Sequence, residues 1–479
     1  MLEGLEAVEM KLSEVLVENE NFRCDSEYFK KEYLGVIETF KSKKFLVLGQ
    51  DAVIKGGKRL PLGQSFSDNG VPYIRAEDNK YGFVTHETSP KISEKLSQTL
   101  AAYQTKFNDV LITIVGNSIG DIGIVKFWLK KCNLTENCAK VAKLKSLNPN
   151  YLLAFLNSTL GILQIKRETV GTAQPKLALE RIRKFKIPIA SNEFQTQIEN
   201  IVKTAHDKLQ ESKTLYTEAE NLLLQELGLI DFKPSTENIA IKKFSESFRT
   251  TGRLDAEYYQ PKYEEILEKV KRTRYDILGD IVTIKKSIEP GSNAYQDEGI
   301  PFVRIADLSK DGISHSEIYL NPASFDTKKL NDLYPKKDTI LLSKDGTVGI
   351  AYTIKTESNI ITSGALLHLK IRKNNTLPEY LTLVLNSVVV KMQSDRDVGG
   401  SIIKHWIPSE IEKVFIPLID LNLQQRIESK IQQSFVLKKE SKHLLSIAKQ
   451  AVEIAIEQNE EIAIKWFSLM AVFFQDVDD

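Results

Sequence analysis

The residues Lys55-Gly56-Gly57-Lys58-Arg59 come nearest to a nucleotide-binding loop, in which glycine amides cradle phosphates and a lysine reaches the outer ones. Arg59 stands where such a loop needs Ser or Thr for magnesium, and the earlier glycine is missing, so no P-loop ATPase is encoded. Gly116, Gly120 and Gly123 follow a GxxxGxxG spacing, which suits a tight turn after a strand better than a dinucleotide site. None of the 15 prolines precedes Asp, which removes the usual Pro-Asp…Glu-x-Lys nuclease signature. An amino-methyltransferase would need Asn-Pro-Pro-aromatic to hold the amino group of a flipped base; Asn148-Pro149-Asn150 reads instead as a turn. His86, His206, His315, His368, His405 and His443 show no metal-ligand spacing among themselves or with cysteine. What remains is chemistry of binding rather than of bond breaking.

The elements that would present binding residues are legible in the chain's larger pattern. Its 479 residues exceed one core, and 42% hydrophobic with 27% charged residues describes a globular protein. Lys plus Arg number 65 against 64 Asp plus Glu, a net charge of +1 that argues against indiscriminate coating of nucleic acid. Cys24, Cys132 and Cys138 form no CxxC pair and suit a reducing, cytoplasmic setting. The amino-terminal stretch is acidic and amphipathic, unlike a signal peptide, and no apolar run approaches a membrane span.

Laid on itself, the chain repeats. Arg23, Asp25, Glu27, Tyr28 and Tyr33 recur as Arg253, Asp255, Glu257, Tyr258 and Tyr263 at an offset of 230, as does Leu48-Gly49 in Leu278-Gly279. The offset then becomes 229 and is expected to hold: Gly70 to Arg75 matches Gly299 to Arg304, Asp109 and Gly120 match Asp338 and Gly349, and Ile187-Pro188 and Gln195 match Ile416-Pro417 and Gln424. Each half opens on Arg-x-Asp-x-Glu-Tyr and continues through short strands and Gly/Pro/Asn turns, with strand-like runs over 110–115 and 339–342. Each half ends in a long segment free of Pro and Gly, over 193–227 and from Leu421 to about Ile464.

Heptads run through both long segments. In the first, Val202, Leu209, Tyr216 and Leu223 alternate with Ile198, Ala205, Ser212 and Ala219. In the second, Ile431, Leu445 and Val452 share one register, broken by Lys438, while Ser434, Ser441 and Ala448 hold the small one. Small residues every heptad let two backbones approach closely, so the segments are expected to pair as an antiparallel coiled coil. The alternative is that each packs only on its own domain. At ~1.5 Å per residue the first helix would be roughly 53 Å long, a rigid spacer between two similar heads.

This organisation resembles the specificity subunit of type I restriction-modification enzymes, from about Phe22 to about Glu460. The family's passage from a Gly-[Ser/Thr] turn through Ile-Pro into the helix reads here as Gly171-Thr172…Ile187-Pro188-Ile189 to Phe194-Gln195, and as Gly400-Ser401…Ile416-Pro417-Leu418 to Gln424-Gln425. The family's second proline is absent in both copies. The [Val/Ile]-Pro-[Tyr/Phe]-[Ile/Val]-Arg element occurs once per half. The resemblance implies an α+β chain with target recognition domains over 1–190 and 230–418, spacer helices over 191–229 and 419–464, and a tail over 465–479. It implies one half of a split double-stranded DNA site read per domain, with no catalysis in this chain. It also implies docking of two methyltransferase subunits carrying S-adenosylmethionine, and of endonuclease-translocase subunits using ATP and magnesium. A specificity subunit serving one combined methyltransferase-endonuclease is a neighbouring reading; a coiled-coil scaffold binding proteins is one of a different class.

Duplex binding needs cations at phosphates and a few side chains at base edges. Lys55, Lys58 and Arg59 in a Gly-rich turn, with Lys285 and Lys286 at the corresponding place, are candidates for phosphates, although loop lysines are commonly just solvated. Asn117 and Ser118, and Lys344 and Thr347, lie in matched turns that could reach bases, where such residues are also ordinary turn formers. Thr172, Gln174 and Lys176 lie within a basic run from Lys166 to Lys186; Ser401, Lys404 and His405 are their counterparts. Arg75 and Arg304, identical across halves that should read different sequences, are assigned to the fold or a phosphate, and Arg23 and Arg253 with Asp25 and Asp255 to a structural turn.

Overall fold

The computed structural model describes residues 8–16, 23–41, 43–80, 82–126, 131–171, 174–398 and 404–473. It divides into two compact units, Met1–Gln210 with Lys438–Asp479, and Glu211–Leu437. Each carries one copy of the repeat, and helices and sheets are mixed in both. Among the described residues no helix is long and apolar enough to cross a membrane.

In the first unit the run Val110–Thr113 is buried at every position, as a central strand requires. It lies in a sheet ordered Val53–Gly56, Cys138–Ala142, Val110–Thr113, Ile122–Ile124, Gly82–Val84, Asn79–Lys80, in which only Gly82–Val84 and Ile122–Ile124 run parallel. A second sheet orders Lys91–Ile92, Val71–Ile74, Cys132–Leu134 and Gln104–Thr105. Phe45–Val47 pairs with Lys186–Pro188, bringing the start of the domain to its Ile-Pro exit. Asn148 begins the buried helix Pro149–Leu156 rather than a free turn: its side chain accepts the Asn150 N–H at 2.8 Å, and proline occupies the first helical position.

The second unit repeats this plan, with Val282–Lys286, Leu366–Ile371, Ile340–Ser343 and Ala351–Thr353 in one sheet and Tyr275–Ile277 pairing with Phe415–Pro417. The structure corrects the expected offset. Asn108 and Asp338 share a left-handed backbone (φ 66° in both), and their N–H groups bond to Val125 and Ile354 at 2.8 and 2.9 Å. Asp338 therefore corresponds to Asn108, not Asp109, and the offset is again 230 along this strand. It returns to 229 at Gly120 and Gly349, whose φ of 92° and 88° close the same turn. Strands alike in pattern but not in identity, Val110–Thr113 and Ile340–Ser343, hid an insertion and a deletion in the flanking loops.

The glutamines of the Ile-Pro…Gln passage are structural. Gln195 accepts the Asn148 N–H at 2.8 Å and donates to the Ala190 carbonyl at 3.0 Å. Gln424 accepts from Leu377 and donates to Ile419, both at 3.0 Å. Each buried side chain ties the start of a core helix to the start of a long one. Tyr151 and Tyr380 complete the join by donating to the Pro188 and Pro417 carbonyls at 3.0 and 2.7 Å.

The long helices are Asn192–Glu226 and Leu421–Glu457. In the first unit Ser441 Oγ donates to the Ala205 carbonyl at 2.6 Å, and Lys208 Nζ pairs with Glu440 at 2.5 Å. In the second, Ser212 and Ser434 exchange hydroxyl-to-carbonyl bonds of 2.7 and 2.8 Å, and Lys430 pairs with Glu218 at 2.6 Å. Residue numbers rise on one helix as they fall on the other, so the pairing is antiparallel in both units. Val202, Ala205, Ser212, Ala219, Leu223, Ile431, Ser434, Ser441, Ala448 and Val452 are buried, while Leu209, Tyr216 and Leu445 are partly buried against the cores. The helices also pack on the globular cores, so pairing and core packing coexist.

The second helix stops at Glu457, short of Ile464, because Asn459 starts a new helix, Glu460–Phe473, by accepting the Ile462 N–H at 2.9 Å. Trp466 and Phe467 of that helix pack on the first unit's core.

Candidate nucleic-acid interface

In the first unit Gly116 and the loop before the short helix Leu179–Arg183 meet. Lys176 bridges both Val115 and Val170, and the Gly116 N–H points to the Pro175 carbonyl at 3.4 Å. Asn117, Gln174 and Lys176 are exposed there, and Ser118 is half-buried. Thr172 lies outside the described residues. Beside these loops an open cleft is lined by Arg23, Lys166, Arg167, Asn117 and Pro175, among others.

The corresponding turn and loop meet in the second unit. Asp345 bridges His405, and the Gly346 N–H donates to the Lys404 carbonyl at 2.9 Å. The charges differ. Asp345 takes Lys344 Nζ on one oxygen and His405 Nδ1 at 2.8 Å on the other; although burial opposes it, these two donors hold the carboxyl below its ordinary range. Lys404 Nζ pairs with Asp395 at 3.0 Å. Thr347 is exposed, its carbonyl accepting Ser343 Oγ at 2.6 Å. Ser401 lies outside the described residues. The second unit thus offers a neutralised cluster where the first offers exposed Lys166 and Lys176.

Lys55 is not in a turn: it belongs to the edge strand Val53–Gly56, and the chain leaves the sheet only at Gly57, where a Cβ would collide with the Thr135 carbonyl. Lys58 is exposed, and Arg59 pairs with Glu136 at 2.7 Å. Lys285 and Lys286 lie on the matching edge strand, with Lys285 Nζ donating to the Asp332 carbonyl.

Much of the basic run from Lys166 to Lys186 is engaged inside its own unit. Arg181 binds Glu168 at 3.3 Å, Arg183 reaches Glu180 at 3.2 Å and the Ile54 carbonyl at 3.2 Å, and Lys186 lies over Phe45. Arg23 and Arg253 grip Asp25 and Asp255 through two bonds each, and donate to the Arg167 and Asp397 carbonyls at 3.0 and 2.7 Å. Tyr28 lies between Arg23 and Arg167, and Tyr258 between Arg253 and Arg396. Asp78 and Asp307 accept the Arg75 and Arg304 N–H groups at 2.8 Å. Strand pairing also sets Lys140 directly opposite Lys55, a proximity that spacing in the sequence does not show.

The model of the type I restriction modification DNA specificity domain matches residues 46–221 and again 277–445. The crystal structure of the type I restriction-modification S subunit from M. genitalium is 14% identical, covering 87% of this chain and 96% of that one with a TM-score of 0.39. The HsdS subunit from Thermoanaerobacter tengcongensis is 16% identical, covering 87% and 97% with a TM-score of 0.29. No curated protein matches the chain. With the specificity domain matched twice over well more than half of its residues, this chain belongs to the type I restriction-modification DNA specificity family.

Proposed function

We propose that this chain is the non-catalytic DNA-recognition subunit of a type I restriction-modification complex, each unit reading one half of a split duplex site. The observation that carries the reading is a duplicated frame with diverged loops. The Gln195/Gln424 and Arg23/Arg253 contacts repeat almost bond for bond, whereas the apposed loops present Asn117, Gln174 and Lys176 in one unit and Lys344, Asp345 and His405 in the other. Similar frames with different tips suit two unlike half-sites. The paired helices would set the unspecified gap and dock two methyltransferase subunits bearing S-adenosylmethionine. Endonuclease-translocase subunits would supply ATP- and magnesium-dependent cleavage in the cytosol.

Methylome sequencing of a host expressing the chain with its partner subunits tests this. A split motif with a fixed gap is expected, and exchanging residues 22–190 for a relative's should change one half of it only. A continuous motif, or one indifferent to the exchange, overturns the reading.

A further inference from the structure

Lys55 and Lys140 stand directly opposite each other on the antiparallel strands Val53–Gly56 and Cys138–Ala142. Like charges at such a pair repel. The two amines are diverted rather than neutralised: Lys55 Nζ lies 5.2 Å from the centre of the Tyr103 ring, and Lys140 Nζ donates to the Gln104 carbonyl. Lys106 and Lys143, both exposed, complete the group, and Lys143 holds a left-handed backbone (φ 53°) that L side chains disfavour. Burial lowers the Lys140 pKa, and Lys55, Lys106 and Lys143 all press in the same direction, with Asp109 opposing. None of the four has a salt-bridge partner among the described residues.

The second unit shows that the fold does not require this. Opposite Lys285 stands His368, buried, bonded to Thr362 Oγ1 at 2.8 Å and held neutral. Lys336 there pairs with Glu357 at 3.9 Å. Lysines recur there at the positions of Lys55 and Lys106, as Lys285 and Lys336, but His368 replaces the central amine and Lys336 has an acidic partner, so the group without salt bridges is confined to the first unit.

We infer that Lys55, Lys106, Lys140 and Lys143 form a second phosphate-binding surface on the first unit, separate from the Gly116 and Lys176 loops, that grips a duplex backbone whatever its sequence. The inference rests on the reading of the chain as a DNA-recognition subunit. Duplex DNA fits better than an acidic protein because lysine is depleted from the cores of protein interfaces. A lysine group without salt bridges gains most from displacing counterions condensed on phosphates.

The test uses the complex of the full chain with its methyltransferase subunits and labelled duplexes with and without the methylated sequence. The triple variant Lys55→Gln, Lys106→Gln, Lys143→Gln spares the Lys140 carbonyl bond. The plot of log affinity against log salt should become shallower by about 2 to 3 on both duplexes, near 0.9 per lysine, while the methylated sequence stays the same. If the triple variant does not fold, Lys106→Gln alone should still reduce the slope by about 0.9. An unchanged slope overturns the inference. So does an unchanged slope accompanied by loss of partner subunits on gel filtration, which would assign the lysines to an acidic protein face. Failure of the parent complex to methylate any split sequence would sink the recognition reading instead, a result independent of the slope.

Discussion

His368 and Lys140 occupy equivalent sheet positions, and only His368 has been taken out of the charge balance. Burial, helped by nearby Lys285, lowers the His368 pKa from 6.5 to about 4. The unfolded chain therefore takes up a proton as pH falls through 6.5, while the folded unit refuses it until about pH 4. Stability should drop across that window by at most roughly 3 kcal/mol. Denaturant unfolding at pH 7.5 and pH 5 should show the loss in the parent, and His368→Gln should shrink the pH-dependent difference. Gln195→Ala removes the bond tying a core helix to the long helix, together with the bond to the Ala190 carbonyl, and should cost about 1–3 kcal/mol in the same assay. Residue roles were only partly readable beforehand. The Arg23 and Arg253 turns were legible because Arg-x-Asp is a local contact. The Lys55–Lys140 encounter was not, because it depends on a strand register between residues 85 positions apart.

At the scale of elements, the seam between the long helices is more than a stripe of small side chains. Ser212, Ser434 and Ser441 each donate to a carbonyl of the facing helix, so backbone proximity and hydrogen bonding are coupled. Ser434→Ala should cost about 1 kcal/mol. Ser434→Leu should cost distinctly more, about 1–3 kcal/mol for overpacking besides the lost bonds; equal melting temperatures for the two variants would contradict that coupling. The heptads announced this pairing because the 3.5-residue period is set by one helix face. The stop at Glu457 was missed although Asn459-Glu460-Glu461 spells an N-cap and an acidic first turn, since apolar periodicity continues through it into Ile462 and Phe467. The two strand-like runs fall within two residues of Val110–Thr113 and Ile340–Ser343, and the first shift of the offset from 230 to 229 was legible; the return to 230 along these strands was not, because loop insertions leave no periodic trace.

At the scale of the whole molecule, the first unit is discontinuous: residues 438–479 complete what residues 1–210 begin. Ile447, Ala448, Ala451, Val452 and Phe467 share one core with Phe194, Ile198, Val202 and Ala205. A chain ending at Leu437 should therefore keep a cooperative second unit, but bind a hydrophobic dye and lose protease resistance across residues 1–210. Equal protection of that region in the truncated and full chains would count against the shared core. The division has a consequence for synthesis. The second unit is contiguous and can close as it leaves the ribosome, whereas the apolar seam around Val202 must wait while residues 211–437 are made. At about 5–20 residues per second that wait is roughly 10–45 s, an interval in which the nascent first unit depends on chaperones or on rapid translation to avoid pairing with another chain.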